Sequence, residues 1–505
     1  MSTTTATTEE NVLVARNPAT GAEIGRVRTT APGEVAGIVA RARGAQMEWS
    51  RASWKARRSV IDRWRRILSR DAEEWAMLIA SEIGKPAMEA MGGDIISTLD
   101  AIRWTVKHAG AAIADRRIGP AWQRMLLMPG GRLRWVPFGV IGMLGTWNYP
   151  LFLNAPPIAQ ALAAGNAVAW KASELSALCG HRLGESLREA GVPDDLVAVV
   201  QGGPETGRAL VDAAIDKAMF TGGVENGRQV LAALGARGIP ALAELSGFDP
   251  AIVLPDAPRG STVKALTWSA YVGCGQTCVA VKRVYVVGDP SPWVDALASS
   301  ARALRVGDPM SPGVDVGPMI SSRARDRLRS MIAASIAAGG RLHAGGELVV
   351  NPAGAYLSPA VVEAEVDAAE DALAGAFGPV VVVRGFADEE SAIAAANRSP
   401  FALAASVWGR DRRRADRVAC QLQAGLVTIN DAVTPTAHAS SPFGGRKASG
   451  HGRTKGPIGL REFAQPQVVF ARSPGGFRPH LYPYQLTPHL GRFFAFYRRI
   501  FHSPR

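Results

Sequence analysis

The sequence predicts an α/β protein with more than one domain. Its 505 residues are too many for one hydrophobic core, and 47% apolar with 20% charged residues is typical of a folded globular chain. Short apolar runs alternate with helical segments, which is the pattern of parallel strands joined by crossover helices. The chemically distinctive residues stand where those runs end, and α/β sheets bind ligands at the carboxyl ends of their strands.

The first half of the chain begins with an amphipathic helical region and then changes to strands. Apolar and charged residues from Pro32 to Ala80 repeat with helical spacing. The apolar runs that follow predict buried strands at residues 140–145, 167–170 and 196–200, with helices at 158–164 and 176–190 between them. This alternation predicts the first parallel sheet.

The second half of the chain shows the same alternation of apolar strands and helices. Its predicted strands cover residues 251–254, 282–287, 380–383 and 425–429, and its predicted helices include 321–338 and 389–396. A second parallel sheet follows from the same argument.

Three segments together predict covalent chemistry on a carbonyl group. Cys278 supplies a thiol nucleophile, Glu244 a carboxylate that can activate water, and Asn148 an amide donor for a developing oxyanion. Taken singly, Asn148 could be a turn residue before Pro150 and Glu244 a surface carboxylate. Cys274 fits a bystander near the nucleophile better than a second nucleophile.

These segments, with several others in order, resemble the NAD(P)-dependent aldehyde dehydrogenases, and the resemblance runs from about Asn17 to about Phe470. The motifs that carry it are Trp147-Asn148-Tyr149-Pro150, Lys171-Ala172-Ser173-Glu174, Phe220-Thr221-Gly222-Gly223, Glu244-Leu245-Ser246-Gly247, Gly275-Gln276-Thr277-Cys278, Phe377-Gly378-Pro379 and Pro442-Phe443-Gly444-Gly445.

The resemblance implies a Rossmann-type NAD-binding domain, an α/β catalytic domain and a β-arm for oligomerisation. The implied boundaries are 1–116 with 138–245 for the NAD-binding domain, 246–464 for the catalytic domain, 117–137 with 465–473 for the arm, and 474–505 for a C-terminal extension. It also implies that Cys278 forms a thiohemiacetal and then a thioester, that Asn148 and the Cys278 backbone N–H hold the oxyanion, and that Glu244 activates the hydrolytic water.

The resemblance also implies a cofactor site. Its residues would be Trp147, Lys171, Ser173, Glu174, Phe220, Thr221, Gly222, Gly223, Leu245 and Phe377. Glu174 would hydrogen-bond the adenosine ribose and repel a 2′-phosphate, which favours NAD over NADP. Gly223 stands where the family often has Ser, and Gly375 stands where it usually has the Glu that binds the nicotinamide ribose, so that anchor is missing here.

Composition limits which partners, metal ions and cellular location are expected for this chain. The net charge of +13 could favour anionic partners, but the basic residues are dispersed and form no nucleic-acid motif. Four cysteines give neither a disulfide framework nor a zinc pattern, so no metal is expected. The N-terminus resembles no targeting peptide and no run of about 18 apolar residues occurs, so we expect a cytoplasmic protein.

The C-terminal extension carries a predicted amphipathic helix. Leu490, Phe493, Phe494, Tyr497, Ile500 and Phe501 share one face, with arginines beside it. A helix of this kind can dock on its own enzyme, cross a subunit interface or lie on an anionic membrane, so peripheral membrane contact through 485–505 is one expectation.

The sequence therefore favours an NAD-dependent enzyme that oxidises an aldehyde to a carboxylic acid, as a homodimer or homotetramer. The loop from Asp431 to Ala439 contains no arginine, which favours a neutral or apolar aldehyde. Two alternatives stay open. One is acyl transfer to coenzyme A, which Glu244 argues against. The other is a weakly catalytic or non-catalytic membrane-associated scaffold, which Gly375 and the aromatic tail suggest.

Overall fold

The computed structural model describes residues 8–9, 11–119, 130–349, 354–472, 474 and 487–501. It divides into two compact units. The larger comprises Met1–Ala112 and Pro137–Gln465, and the smaller comprises Ile113–Val136 and Pro466–Arg505.

The strands of the described residues are numbered in chain order. They are β1 Thr8–Glu9, β2 Val12–Arg16, β3 Glu23–Arg28, β4 Arg116–Ile118, β5 Gly130–Pro137, β6 Val140–Leu144, β7 Ala167–Lys171, β8 Val197–Val200, β9 Lys217–Gly222, β10 Ala241–Leu245, β11 Asp249–Val253, β12 Val281–Val287, β13 Arg341–Ala344, β14 Ala360–Glu363, β15 Val380–Phe386, β16 Phe401–Ala402, β17 Ala404–Trp408, β18 Leu426–Ile429, β19 Arg446–Lys447, β20 Gly450–His451 and β21 Ala464–Ala471.

The α-helices of the same residues are α1 Val35–Arg51, α2 Trp54–Arg70, α3 Ala72–Ile83, α4 Ala87–Glu89, α5 Ser97–Ala112, α6 Ala155–Ala164, α7 Ala177–Glu189, α8 Pro204–Asp212, α9 Val224–Ala236, α10 Arg259–Tyr271, α11 Ser291–Ala303, α12 Ser322–Ala337, α13 Asp367–Asp371, α14 Glu389–Arg398, α15 Arg412–Ala419, α16 Gly456–Arg461 and α17 Thr487–Phe501. A π-helical segment, Ala90–Ile96, precedes α5.

The first large sheet has the order β20-β10-β9-β6-β7-β8, and its strands are parallel except for the edge strand β20. The chain leaves β6 toward β7 and β8, then returns to the other side for β9 and β10. The order therefore reverses beside β6, and open α/β sheets bind ligands at such a switch point. Helix α6 is buried along its whole length, which matches its Ala-rich sequence.

The second large sheet has the order β13-β14-β15-β12-β11-β17-β18 and is parallel except for its edge strand β13. Strands β12 and β11 are buried at every residue. They are central strands covered on both faces, and the apolar runs Ala251-Ile252-Val253 and Val284-Tyr285-Val286-Val287 are typical of such strands. Helices α10, α11, α14 and α15 pack against strands of the sheet.

The smaller unit contains a three-stranded sheet with the order β21-β5-β4, and β4 pairs with β5 in antiparallel register. Most of the 117–137 and 465–473 arm prediction falls on it, although residues 120–129 and 473 lie outside the described ones. Helix α17 also belongs to this unit. Among the helices of the described ranges, none is both long enough and apolar enough to cross a membrane.

The α/β prediction is confirmed, and its strands agree with the structure to within a few residues. Strand β7 ends at Lys171 as predicted, and α12 covers Ser322–Ala337. The boundary between an NAD-binding and a catalytic domain stays a prediction, because both sheets lie in the larger unit. Much of the predicted extension, residues 475–486 and 502–505, lies outside the described residues.

Candidate active site

The predicted site residues gather at the carboxyl ends of the first sheet. Strand β6 is followed by the loop of Trp147 and Asn148, β7 ends at Lys171, β9 ends at Gly222, and β10 contains Glu244. Because these strands are adjacent and parallel, four segments far apart in sequence meet at one edge of the sheet.

Cys278 reaches this edge from the second half of the chain. After α10, Gly273, Cys274 and Gly275 all take left-handed backbone angles, with φ between 56° and 64°. At Gly275 a Cβ would lie 2.2 Å from the Gly378 carbonyl oxygen, so only glycine fits there. The tight turn presents Cys278, which is half-buried, at the start of the segment that leads into β12.

Lys282 fixes this turn from behind, and sequence reasoning missed it. Its buried ammonium donates to the carbonyl of Gly275 at 2.8 Å and to that of Gly378 at 2.6 Å. It therefore joins the cysteine turn to the Phe377-Gly378 loop. Burial lowers the pKa of Lys282 to about 7. The signal in the sequence was a lysine inside the apolar run of β12.

Cys278 is a neutral thiol at rest. Burial raises its pKa to about 12, and the charges of Glu244 and Asp249 add to the rise. The backbone N–H groups of Val279 and Cys278 oppose it by hydrogen bonding to the sulfur. Reactive thiolates need either an adjacent base or a nearby positive charge, so the thiol requires a proton acceptor within the same cavity.

Asn148 lies beside the cysteine turn. The side chain is buried and donates from Nδ2 to the Gln276 carbonyl at 2.9 Å, while its Oδ1 accepts from Thr146 at 3.0 Å. These two bonds fix which end of the amide is the donor. Nδ2 carries two N–H groups, and Gln276 takes one of them.

Glu244 is buried at the end of β10. Its Oε1 accepts a 2.6 Å hydrogen bond from the hydroxyl of Thr454. Burial raises the pKa of Glu244 to about 7, against the lowering effects of the Thr454 hydrogen bond and of the charges on Lys455 and Arg453. A carboxylate with this pKa exchanges protons readily near neutral pH.

Cys278 and Glu244 line the same cavity of about 380 Å³. Its walls are mostly apolar and aromatic, and two of the lining side chains, Trp268 and Met88, are exposed to solvent. The apolar and aromatic lining residues are Met88, Tyr149, Phe152, Leu153, Pro156, Pro157, Met219, Trp268, Val272, Val279, Val433, Ala437 and Phe443. A cavity of this size and lining suits a small apolar ligand.

Two lysines lie against the aromatic rings of this cavity. The Lys85 ammonium is 3.4 Å from the centroid of the Tyr149 ring and forms a buried 2.5 Å ion pair with Asp94. The Lys455 ammonium is 5.1 Å from the Phe152 centroid and 4.9 Å from that of Phe443. Burial lowers the pKa of Lys455 to about 8, while Glu244 and Cys278 favour its charged form.

The predicted ribose-binding residues also come together. Lys171 and Glu174 form a 2.5 Å ion pair, with the lysine buried and the carboxylate partly exposed. Ser173 accepts from the backbone N–H of Leu175 and so caps the short turn that carries Glu174. The carboxylate is thereby held at the end of β7 with one face toward solvent.

Phe220 to Gly223 lead directly into α9. Gly223 is the N-cap of that helix, with φ −71° and ψ 150°, no side-chain capping bond and nothing within 4 Å of a built Cβ. The first N–H groups of α9 therefore lack a side-chain cap. Leu245 packs against Gly227 one turn further on. Such an open helix end accommodates an anion.

Trp147 and Phe377 form an edge-to-face pair, with ring centroids 5.7 Å apart. Phe377 follows Gly375, whose φ is +78°. A Cβ at Gly375 would meet only Phe401, at 3.6 Å. The position has room for a side chain, but its backbone conformation disfavours one.

Thr454 and Lys455 are the other residues that sequence reasoning missed. They follow shortly after the Pro442-Phe443-Gly444-Gly445 motif, but nothing in the local sequence indicated that they reach Glu244. Among the described residues, no group of three or more His, Cys, Asp or Glu side chains is placed to hold a metal ion.

A doubly wound sheet that opens onto a cavity shared by a cysteine and a glutamate points to the nucleotide-dependent oxidoreductases. The match of a family model decides the particular family: the model described as the aldehyde dehydrogenase family covers residues 4–469. The chain belongs to the aldehyde dehydrogenase family.

Curated relatives and solved structures agree with this assignment. A betaine aldehyde dehydrogenase of Cereibacter sphaeroides is 37% identical over 457 residues, which are 90% of this chain and 92% of the relative. One of Sinorhizobium fredii is 34% identical, over 92% of this chain and 94% of the relative. The Mycobacterium tuberculosis aldehyde dehydrogenase complexed with NAD+ is 31% identical with a TM-score of 0.88, over 93% of this chain and 96% of that one.

The protein is therefore an aldehyde-oxidising oxidoreductase with NAD as its cofactor. The expected fold, enzyme class and cofactor are confirmed. The residues present fit NAD, because the open end of α9 can receive a phosphate and Glu174 offers a carboxylate to a ribose.

Proposed function

We propose that the protein oxidises a neutral, apolar aldehyde to its carboxylic acid through a thioester on Cys278, with water activated by Glu244. The observation that supports this most directly is the cavity of about 380 Å³ that both residues line. It gives one substrate carbon access to a nucleophile and to a base.

Cys278 attacks the aldehyde carbon and passes its proton to Glu244, whose pKa near 7 makes it the suitable acceptor at neutral pH. The oxygen of the resulting thiohemiacetal carries negative charge. The second N–H of Asn148 and the backbone N–H of Cys278 stabilise that charge, and one such donor is worth about 3 kcal/mol in a dry site.

NAD supplies the acceptor for the hydride that leaves the thiohemiacetal carbon. The chain's own residues would hold it: Glu174 and Lys171 at the adenosine ribose, Ser173 by fixing their turn, and Thr221, Gly222 and Gly223 at the entrance to α9. Phe220, Leu245, Trp147 and Phe377 would form apolar walls. With Gly375 in place of a carboxylate, the nicotinamide ribose has no anchor at that position.

Once the proton taken from Cys278 has passed to solvent, the ionised Glu244 accepts a proton from water as the water attacks the thioester. Its hydrogen bond from Thr454 orients Oε1 and favours the ionised form. Hydrolysis breaks the carbon–sulfur bond, releases the acid and returns the thiol. This base is also the reason to prefer hydrolysis over transfer of the acyl group to coenzyme A.

The aromatic faces of the cavity favour a neutral substrate. The rings of Tyr149, Phe152 and Phe443 already face the ammonium groups of Lys85 and Lys455. A cationic substrate would find these aromatic faces already engaged. The curated relatives are named for betaine aldehyde, which carries a quaternary ammonium, and it is the second candidate substrate on that ground.

The test measures NADH formation with an aliphatic aldehyde, an aromatic aldehyde and betaine aldehyde. We expect kcat/KM for the neutral aldehydes to exceed that for betaine aldehyde by at least about tenfold, which corresponds to about 1.4 kcal/mol. Preference for betaine aldehyde would contradict the proposed substrate class.

Two variants test the residue roles. Cys278→Ala is expected to abolish turnover. Glu244→Gln removes the acceptor of the thiol proton as well as the base for hydrolysis, so we expect less than about 1% of wild-type kcat and no burst of NADH in a first turnover. Wild-type turnover of either variant would contradict its role. Acyl-CoA formation by the wild type would favour the acylating alternative.

We further propose a cytoplasmic homo-oligomer that associates through the arm strands β5 and β21, and we propose the predicted domain boundaries as functional divisions. The scaffold alternative predicts no turnover with any aldehyde, so the same assay decides it.

A further inference from the structure

Helix α17, Thr487–Phe501, has two chemically distinct faces. At 100° per residue its apolar residues fall within one arc, which also contains His489, and Arg492, Arg498 and Arg499 lie outside that arc. The residues of the apolar arc are Leu490, Phe493, Phe494, Phe496, Tyr497, Ile500 and Phe501. Five of these seven are aromatic and bring large apolar areas to a short helix.

The apolar arc is turned to solvent. Phe494 and Phe496 are 60% and 62% exposed, and Ile500 is 54% exposed. The aromatic rings contact one another along the helix, since the Phe493 and Tyr497 centroids are 6.4 Å apart. Contacts of this kind order the arc without covering it. A contiguous exposed apolar surface on an ordered helix indicates a partner surface.

The charged residues of the chain after Glu462 have a single sign. No Asp or Glu occurs after Glu462, and the arginines of that region are Arg472, Arg478, Arg492, Arg498, Arg499 and Arg505. A helix with a basic flank beside an aromatic face is complementary to a partner whose interior is apolar and whose outer layer carries negative charge.

We propose that α17 lies in the headgroup region of an anionic lipid bilayer, with its aromatic arc inserted and its arginines against the phosphates. The helix has 15 residues and three arginines, so it lies along the surface and does not span the bilayer. The enzyme would thereby work next to a membrane, where apolar aldehydes concentrate.

A second copy of the chain is a poorer partner for this surface. Two copies of α17 packed together would bring two sets of three arginines close to one another, and the helix holds no Asp or Glu to offset them. An anionic lipid surface attracts both the helix and the whole molecule, and this attraction weakens as salt rises.

The test is co-sedimentation of the full-length protein with phosphatidylglycerol–phosphatidylcholine vesicles and with pure phosphatidylcholine vesicles. We expect at least about tenfold more protein bound to the anionic vesicles, with the difference reduced in 0.5 M NaCl. Two variants remove one element each. Phe494→Ser/Phe496→Ser/Ile500→Ser removes the arc, and Arg492→Glu/Arg498→Glu/Arg499→Glu reverses the basic flank.

Matched controls separate the helix from general charge and hydrophobicity. Arg323→Glu/Arg327→Glu/Arg329→Glu makes the same charge change on exposed positions of α12, and Met47→Ser/Ile336→Ser removes exposed apolar side chains elsewhere. Loss of binding in both α17 variants, with both controls binding like wild type, supports the proposal.

Three outcomes would overturn the proposal. The first is that the wild-type protein does not bind anionic vesicles. The second is that the α17 variants bind like wild type. The third is that the α12 control loses as much vesicle binding as the α17 variants. A change of molar mass in the α17 variants, without vesicle binding by the wild type, would assign the arc to a subunit contact. Aldehyde oxidation measured without vesicles is independent of these results.

Discussion

Glu244 and Thr454 stand 210 residues apart, yet a 2.6 Å hydrogen bond joins their side chains. This bond lowers the pKa of Glu244 against the effect of burial, which raises it to about 7. Thr454→Val removes the donor and keeps the shape. We therefore expect the pKa of Glu244 to rise and the acidic limb of the kcat–pH profile to move to higher pH, because less of the base is ionised at a given pH.

Thr454→Ser restores the hydroxyl and is the matched control for that profile. Its acidic limb should stay close to that of the wild type. If Thr454→Val left the limb in place while lowering kcat equally at every pH, Thr454 would support the structure of the site without acting on the ionisation of Glu244.

A second prediction for a single residue concerns the backbone conformation of Gly375. Its φ of +78° disfavours an L side chain, while a Cβ would make only an ordinary contact with Phe401. We expect Gly375→Ala to lower the free energy of unfolding by about 1 kcal/mol through backbone strain alone. Gly44→Ala, inside α1 with open space around it, should act in the opposite direction. Urea unfolding of both variants measures the difference, and a stabilised Gly375→Ala would contradict the strain.

The position of a site residue relative to the strands and motifs explains whether the sequence alone could reveal it. Cys278, Glu244 and Asn148 lie at strand ends within contiguous motifs, so local sequence identified them. Thr454, Lys455 and Lys282 could not be assigned in this way, because their partners are Glu244, two aromatic rings and two carbonyl groups that only the fold brings near.

The N-terminal end of α9 carries its own prediction. Gly223 caps that helix with an extended backbone and open space, so Gly223→Ser fits without strain. The hydroxyl can cap the helix, which adds a few tenths of a kcal/mol of stability. If the cofactor pyrophosphate lies at this helix end, the added donor should also lower the Kd of NAD by about threefold to tenfold.

Titration of intrinsic tryptophan fluorescence with NAD measures that Kd. Gly235→Ser, on the same helix and also in open space, is the control that should leave it unchanged. An unchanged Kd for Gly223→Ser would place the pyrophosphate away from the end of α9.

At the scale of the whole molecule, the sequence predicted the two α/β sheets and the strands β6, β7, β8, β11, β12, β15 and β18, because buried parallel strands have apolar runs, but it did not predict β9, β10, β14 or β17. It could not predict the strand order that reverses beside β6, nor the shape of the cavity. Both depend on packing between segments that are distant in the chain, and the predicted loop of residues 431–439 contributes only part of the cavity wall.

The last prediction concerns subunit assembly through the edge strand of the smaller unit. Strand β21 stands at the edge of the order β21-β5-β4, and it exposes Val468 and Phe470 at 49% and 59%. An exposed apolar edge strand tends to pair with another chain unless a helix or loop covers it. We therefore expect β21 to lie in a subunit interface. Val468→Glu/Phe470→Glu should place charges there and dissociate the oligomer.

Light scattering after size-exclusion chromatography measures the molar mass, with Met47→Glu/Ile336→Glu as a control that adds the same charges on exposed positions of the larger unit. The control should keep the wild-type mass. A smaller species from the β21 variant alone assigns the interface to the arm. If wild type and both variants have the same molar mass, β21 does not form a subunit contact, and its exposed apolar side chains are not explained by oligomerisation.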